Sequence, residues 1–229
     1  MLDLLIKNGE VIDGSGQKRY KADIGVKDGK INVIMENIEG EAKETINAAG
    51  HVVCPGFIDI HGNSDLTLYI NPKGESKIRQ GVTTEVQGNC GFTAAPVTKE
   101  HYEDLMSYLA NTTVLSEEEK KKWKWPSQAD FIREELAAHG LPFNIAPLVG
   151  HGTFKVGVMG FAKRKPTTEE LNKMLDLLRY ELDQGLFGMS SGLEYEPGSY
   201  TSTEELVELC KLVKEYGGIY STHMRNEGR

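Results

Sequence analysis

The sequence predicts an α/β chain: a small all-β unit over residues 1–53, then parallel strands alternating with helices over residues 54–229. Three observations point there. Residues 1–53 carry short strand patterns broken by Gly, Asn and Asp turns, with no helical period. After Pro55, apolar β-type runs alternate with amphipathic segments, the rhythm of right-handed strand-helix-strand crossovers. Those runs are continuously apolar or small, as strands buried on both faces require.

In the first unit, Asp3 to Ile6 reads as a strand ended by Asn8-Gly9, and Glu10 to Ile12 resumes it. Asp23 to Val26 and Lys30 to Ile34 flank Lys27-Asp28-Gly29, a hairpin-type turn, and Glu44 to Ile46 makes a further short strand. In the second unit, strands are expected at 52–60, 82–87, 143–149, 185–191 and 218–222.

The helices between them carry start and stop signals. Thr167 and Glu170 form a capping box ahead of an apolar stripe of Leu171, Met174, Leu175, Leu178 and Leu182. Ser202 and Glu205 start the next helix, with Leu206, Leu209, Val213 and Tyr216 on one face and Gly217-Gly218 as the stop. A third helix runs from Ser127 to His139 and closes at Gly140. Residues 98–126 are longer than an ordinary link and hold the polar run EEEKKK before Trp123 and Trp125. They read as an insertion over the barrel mouth or against a neighbour, or as a solvated charged face docked by two tryptophans.

The net charge of −8 and pI near 5.4 argue against nucleic acid and anionic membrane surfaces as partners. No apolar run reaches the ~18 residues of a membrane span, and the N-terminus lacks a signal-peptide pattern, so a cytoplasmic protein is expected. Three widely spaced cysteines, Cys54, Cys90 and Cys210, do not make a disulfide framework.

An open doubly wound sheet and a closed barrel both satisfy this alternation. No dinucleotide fingerprint or P-loop follows any strand, which weakens the open, nucleotide-binding option. The strand ends favour the barrel, where chemistry gathers just past the C-terminal ends. There stand, in order, Asp59-Ile60-His61-Gly62-Asn63, Gln87-Gly88-Asn89-Cys90-Gly91, Gly150-His151-Gly152, Ser190-Ser191-Gly192 with Tyr195, and Thr222-His223-Met224-Arg225. A lone histidine is more often packed than ligating, and a lone cysteine is more often a small buried hydrophobe. Imidazole and thiolate together at one rim suit zinc, with Cys90 as an anionic ligand. Gly88 and Gly91 allow the tight turn that brings its sulfur inward. A nucleophilic Cys90 with His61 or His151 as base is the rival reading. Cys54 and Cys210 are read as structural.

VCPGFIDIHGNSD at 53–65 resembles the first-strand motif of the amidohydrolase superfamily. QGVTT at 80–84 with GNCG at 88–91, GHG at 150–152, SSGLEYEPG at 190–198 and STHMRNEGR at 221–229 are similar to the D-aminoacylases, the N-acyl-D-amino-acid deacylases. The resemblance implies an incomplete TIM-type (β/α)8 barrel, its first five strands, preceded by part of a small β-sandwich. It implies zinc-dependent hydrolysis of N-acyl-D-amino acids to a carboxylate and a D-amino acid. Cys90 and His223 then match ligands of the tightly bound zinc, and His61 matches a second, weaker metal position. Tyr195, Ser191, Arg225 and His151 fall in the substrate region, with Arg225 suited to pair with a carboxylate.

Two departures from that pattern stand out. The paired histidine motif reads His61-Gly62-Asn63, so the amide of Asn63 replaces an imidazole and a weak or absent second metal is expected. The chain ends at Arg229, whereas the resemblance puts a further zinc histidine on a sixth strand and the catalytic aspartate on an eighth. A truncated chain, inactive alone, is therefore expected, with no catalytic base among its residues and with self-association through the open barrel edge as one way to fold. Two alternatives stay open: an inactive fragment or scaffold that folds by oligomerising, and a cyclic amidase of the hydantoinase or dihydroorotase type.

Overall fold

The structure, a computed structural model, describes residues 1–228. The chain divides into two compact units, Met1–Gly56 and the segment from Phe57 onward.

The first unit is one five-stranded sheet. Strands β1 (Leu2–Val11), β2 (Tyr20–Lys27), β3 (Lys30–Met35) and β4 (Ala42–Asn47) lie in the order β3-β2-β1-β4, and β5 (Val52–Val53) also pairs with β1. Asp28 and Gly29 both take positive φ, 52° and 71°, which is the mirror-image turn that a two-residue hairpin needs. The expected break at Asn8-Gly9 is corrected. The strand runs through it as a bulge, with a register slip between Ile6 and Gly9 and Asn8 at φ 63°. Asp23 Oδ1 accepts the Asn8 amide at 2.8 Å, so the bulge loses no buried hydrogen bond. Val11, Ala22 and Ile24 form the apolar centre of this unit.

The expected strand at 52–60 is interrupted at Cys54-Pro55-Gly56. Its first part is β5, and its second part, β6 (Phe57–Asp59), opens the second unit. Cys54 is exposed.

The second unit alternates helices with strands that are parallel throughout. β6, β7 (Val82–Gln87) and β8 (Asn144–Pro147) form one sheet, and β9 (Val149–Gly150), β10 (Gly188–Gly192) and β11 (Ile219–His223) form another, each in chain order. The expected third strand is thus two strands joined at buried Leu148. Leu148 N donates to Gln87 O, and Pro147 O accepts from Phe187 N, both at 2.9 Å. One bent strand serves both sheets.

Helices α1 (Asp65–Ile70) and α2 (Glu75–Ile78) follow β6. The long stretch after β7 holds α3 (Tyr102–Leu109), α4 (Glu117–Lys122) and α5 (Gln128–Phe131). α4 is the charged run, started by a Ser116–Glu119 capping box and with no buried residue. Trp123 and Trp125 anchor it: both are buried, and they meet Tyr69 and Phe131 at ring separations of 5.0 to 6.4 Å. The Trp123 indole N–H donates to Ala94 O at 2.8 Å. The helix expected over 127–139 changes winding. α5 passes into a wider π turn at Ile132–Leu136 and then a tighter 3-10 turn at Ala137–His139.

α6 (His151–Met159) and α7 (Thr168–Asp183) precede β10, and α8 (Thr203–Glu215) precedes β11. α7 has the expected capping box and buries Met174, Leu178 and Leu182. In α8, Leu212 takes the place expected for Tyr216 in the apolar face. Tyr216 sits at the helix end, where its ring turns outward and its hydroxyl reaches Asp183 Oδ1 at 2.5 Å. Among the described residues no helix is long and apolar enough to cross a membrane.

Candidate metal centre

The loop after β7 is built around Cys90. Gly88, Cys90 and Gly91 all have positive φ, at 75°, 56° and 79°. For glycine this is free, but Cys90 takes a conformation that L-residues disfavour and is held there by its neighbours. Asn89, fully buried, donates to Gly62 O and Val86 O at 3.2 and 2.9 Å and accepts from Ser221 Oγ at 3.0 Å. Ser190 Oγ donates to Gly88 O and accepts the Gly91 amide. Gly91 O accepts from Tyr108 Oη and from the Thr153 amide, each at 3.1 Å.

The glycines of the other two motifs press against this loop. A Cβ on Gly91 would stand 3.0 Å from Gly192 N and 3.2 Å from Gly152 N, and one on Gly150 would stand 2.6 Å from Gly91 O. Real side chains do not tolerate such contacts, so three loops meet backbone to backbone. The GHG and SSG motifs are packing devices at this crossing.

The Cys90 sulfur lies 3.2 Å from His61 Nε2 and 3.9 Å from His223 Nδ1. His223 Nδ1 is 2.8 Å from Tyr195 Oη, and its Nε2 faces Glu194 Oε2 at 2.9 Å and Glu227 Oε1 at 3.2 Å. Burial pushes the Cys90 thiol up, with the Asn63 side chain pulling it back. Asn63 Oδ1 is buried without a hydrogen-bond partner. Between His61 and Asn63, Gly62 has no room for a side chain because the Glu85 carboxylate fills that space. Glu85 is fully buried, accepts from Ser64 Oγ, and lies 3.5 Å from Lys77 Nζ.

Among the described residues no three His, Cys, Asp or Glu side chains converge on one point fit for an ion. The donors come as two pairs that share the Cys90 sulfur. Their chemistry nonetheless fits zinc, since a thiol and imidazoles are its preferred donors, and the unpartnered Asn63 oxygen adds an acceptor beside them.

Three residues expected near the substrate make bonds within the fold and do not line the cleft over Asn63 and Cys90. His151 is fully buried, and its Nε2 meets Glu205 Oε1 at 3.1 Å. Glu205 also takes Lys155 Nζ at 2.8 and 2.9 Å, and Lys155 reaches Thr201 Oγ1 at 3.0 Å. Burial drives His151 toward its neutral form, with Glu205 opposing. Burial works against the Glu205 charge too, but the hydrogen bonds and charges of His151 and Lys155 outweigh it. The glutamate of the expected Ser202–Glu205 start thus turns inward, and its backbone amide alone bonds Ser202.

Ser191 follows the strand alternation. It pairs in register with Thr222 and bonds Thr222 and Tyr220 at 2.7 and 2.6 Å, on the face opposite Ser190. Ser190, one residue earlier, is the serine that holds the Cys90 loop. The Arg225 guanidinium donates to Thr201 O at 2.8 Å.

A cleft of about 850 Å³ opens over Asn63 and Cys90. Its wall holds Phe92, Phe161 and Tyr195, with Ser107, Asn111 and Thr112 from α3 and the turn after it, and Glu196 at the rim. Phe92 stacks on Tyr108 at 4.5 Å and meets Tyr195 at 5.6 Å. Sequence reasoning missed Glu194, Glu227, Tyr108 and, in this wall, Phe92, Ser107, Asn111, Thr112 and Phe161. Adjacency to Tyr195 and the i+4 spacing from His223 were the available signals for the two glutamates.

Comparison with known proteins matches residues 44–222 to the amidohydrolase family. The D-aminoacylase of Alcaligenes xylosoxydans xylosoxydans is 36% identical over 226 residues, which cover 99% of this chain and 45% of that protein. A crystal structure of D-aminoacylase superposes with a TM-score of 0.89 at 35% identity, covering 100% of this chain and 46% of the other. The N-acyl-D-glutamate deacylase of Bordetella bronchiseptica, solved with zinc and a phosphonate mimic of the tetrahedral intermediate, gives 0.86 at 35% identity, covering 99% and 46%. The chain spans about half the length of the curated relatives it matches. With the family matched over most of its residues, this chain belongs to the amidohydrolase family.

Proposed function

We propose that the full-length protein is a zinc-dependent hydrolase of N-acyl-D-amino acids, releasing a carboxylate and a D-amino acid. The observation that carries this reading is the buried Cys90 thiol set between His61 and His223 on a loop packed against two others. A solved relative of the same local fold contains zinc and a phosphonate mimic of its reaction's tetrahedral intermediate. The parallel strands of the second unit are read as the first strands of a (β/α)8 barrel, and the metal residues all follow or end those strands.

Cys90 and His223 would hold the zinc, and His61 with Asn63 would form a second, weaker position. When bound, zinc supplies Lewis-acid polarisation of the scissile carbonyl and acidification of water. Tyr195, whose hydroxyl touches His223, orients that imidazole and stands at the cleft wall to meet the substrate. Glu194 and Glu227 hold the other ring nitrogen of His223 and fix the ring plane. Phe92 and Phe161 give the cleft apolar lining.

The short His61–Cys90 contact also suits a thiol nucleophile with an imidazole base. Burial works against it, because it holds the thiol in its protonated form until a cation is present. Metal analysis together with paired D- and L-substrate assays tests the reading. About one equivalent of zinc and D-selective deacylation are expected. Turnover of neither isomer with zinc supplied would leave a non-catalytic scaffold, and turnover unaffected by zinc removal would favour the thiol.

A further inference from the structure

Three charged side chains converge behind the turn that carries His61 and Asn63. Asp59, the last residue of β6, accepts the His61 amide through Oδ1 at 3.1 Å and takes Lys77 Nζ through Oδ2. Glu85, on β7, accepts Ser64 Oγ through Oε2, and its Oε1 lies 3.5 Å from the same Lys77 Nζ. The Glu85 carboxylate also packs against Gly62, where a Cβ would stand 1.5 Å from Oε1. The turn is thus held at His61 by Asp59 and at Gly62 and Ser64 by Glu85, and one ammonium group from α2 joins the two carboxylates. Glu85 is fully buried and its Oε1 makes no hydrogen bond, so its charge is compensated by Lys77. Among the described residues no other cation pairs with either carboxylate. Two carboxylates gathered on one ammonium group repel each other once it is removed.

We infer that Lys77 is a positioning residue for the metal centre: by joining Asp59 to Glu85 it fixes the turn that sets His61 against the Cys90 sulfur. The inference rests on the reading of His61 and Cys90 as metal donors and deepens it. An ammonium group has no lone pair to give a metal, so Lys77 acts through the two carboxylates. Without it, Glu85 is buried as an uncompensated charge, and the turn that both carboxylates hold is free to shift. His61 reaches to 3.2 Å from the Cys90 sulfur, and a small shift of the turn changes that separation directly.

The test uses the full-length protein freed of zinc and titrated with cadmium, whose bond to the Cys90 thiolate gives an ultraviolet charge-transfer band. Lys77→Met should weaken cadmium binding by about tenfold or more, the usual effect of losing a group that orients a metal ligand. In a His61→Gln background the same change should cost less than about threefold, because its effect travels through His61. Lys77→Arg keeps the charge and should stay within about threefold of the parent. Ser64→Ala releases Glu85 from the far end of the turn without removing a charge, and should weaken binding by about threefold to tenfold. It decides the matter if Lys77→Met does not fold. The inference is overturned if Lys77→Met, or Ser64→Ala in its place, binds cadmium within about threefold of the parent. It is also overturned if Lys77→Arg loses as much as Lys77→Met, or if the loss is the same with and without His61. A His61→Gln variant that binds cadmium as the parent does would remove His61 from the metal centre, and this inference with it, whereas the assignment of Cys90 would stand or fall on Cys90→Ala.

Discussion

The Tyr195 hydroxyl lies 2.8 Å from His223 Nδ1, the ring atom that stands 3.9 Å from the Cys90 sulfur. Hydroxyl and metal therefore compete for one lone pair. Tyr195→Phe should tighten zinc binding by about three- to tenfold, the worth of one ordinary hydrogen bond. Competition with a chromophoric chelator measures it. Weaker binding in the variant would mean that the tyrosine supports the metal instead.

Cys90 is the only sulfur placed between two imidazoles among the described residues, whereas Cys54 is exposed. Cys90→Ala should lose stoichiometric zinc, and Cys54→Ala should retain it, as read by elemental analysis after dialysis. Retention of zinc by Cys90→Ala would assign the metal to other donors.

Gly150 carries no ligand atom, yet a Cβ there would stand 2.6 Å from Gly91 O. Gly150→Ala should lower stability by about 1–3 kcal/mol and weaken zinc binding by displacing the Cys90 loop. Paired urea unfolding and chelator titrations read the two effects together. Unchanged zinc affinity would show that the loop holds its shape without this contact.

Lys155, Glu205 and His151 form a charged cluster with no access to water. Lys155→Met alone should destabilise the protein by about 3–5 kcal/mol, because Glu205 is left buried without its cation. Adding Glu205→Gln should recover much of the loss, since the unpaired charge goes with it. Denaturant unfolding of the single and double variants decides. A double variant as unstable as Lys155→Met would remove the charge-burial explanation.

Burial raises the Glu181 and Asp65 carboxyls to about 7, although the Gln128 and Ala129 amides bonded to Glu181 favour its ionised form. Their ordinary values are near 4.5 and 3.8. Between about pH 4.5 and 7 the native state therefore keeps protons that the unfolded chain releases. Their contribution is complete below the unfolded values and is lost as pH rises through the folded ones. Each adds a slope of about −1.4 kcal/mol per pH unit in that window. Glu181→Gln should lower overall stability at acid pH but remove about one proton's worth of this slope. Urea unfolding at intervals from pH 4.5 to 7.5 measures it, and parallel curves for the two proteins would rule the protonated carboxyl out.

Much of the site was legible because its residues sit at strand ends, where apolar runs stop and chemistry begins. His61, Cys90 and His223, which the structure brings together, were read that way, and so was Asn63. What the sequence does not display is parity and depth. Ser190 and Ser191 are indistinguishable in a continuously small strand, and only the register with Ser221 and Thr222 says which one faces the Cys90 loop. His151 follows a strand as the others do. It begins a helix, however, and Glu205, 54 positions later, draws it into the core. The bulge at Asn8 and the bend at Leu148 likewise depend on partners distant in sequence, Asp23 for the first and Gln87 with Phe187 for the second. The cleft wall was hidden because α3 lies in a segment whose composition reads as solvated surface.

The meeting of Gly91 with Gly150, Gly152 and Gly192 separates what can vary in this protein from what cannot. Where main chain touches main chain, no exchange of side chains can compensate for an added atom, so the position of the sulfur is set by the course of the backbone. The cleft wall rests on α3 and on aromatic rings that touch this crossing mainly through Tyr108 and Phe92. Its composition can therefore drift toward new substrates while the reactive centre keeps its coordinates.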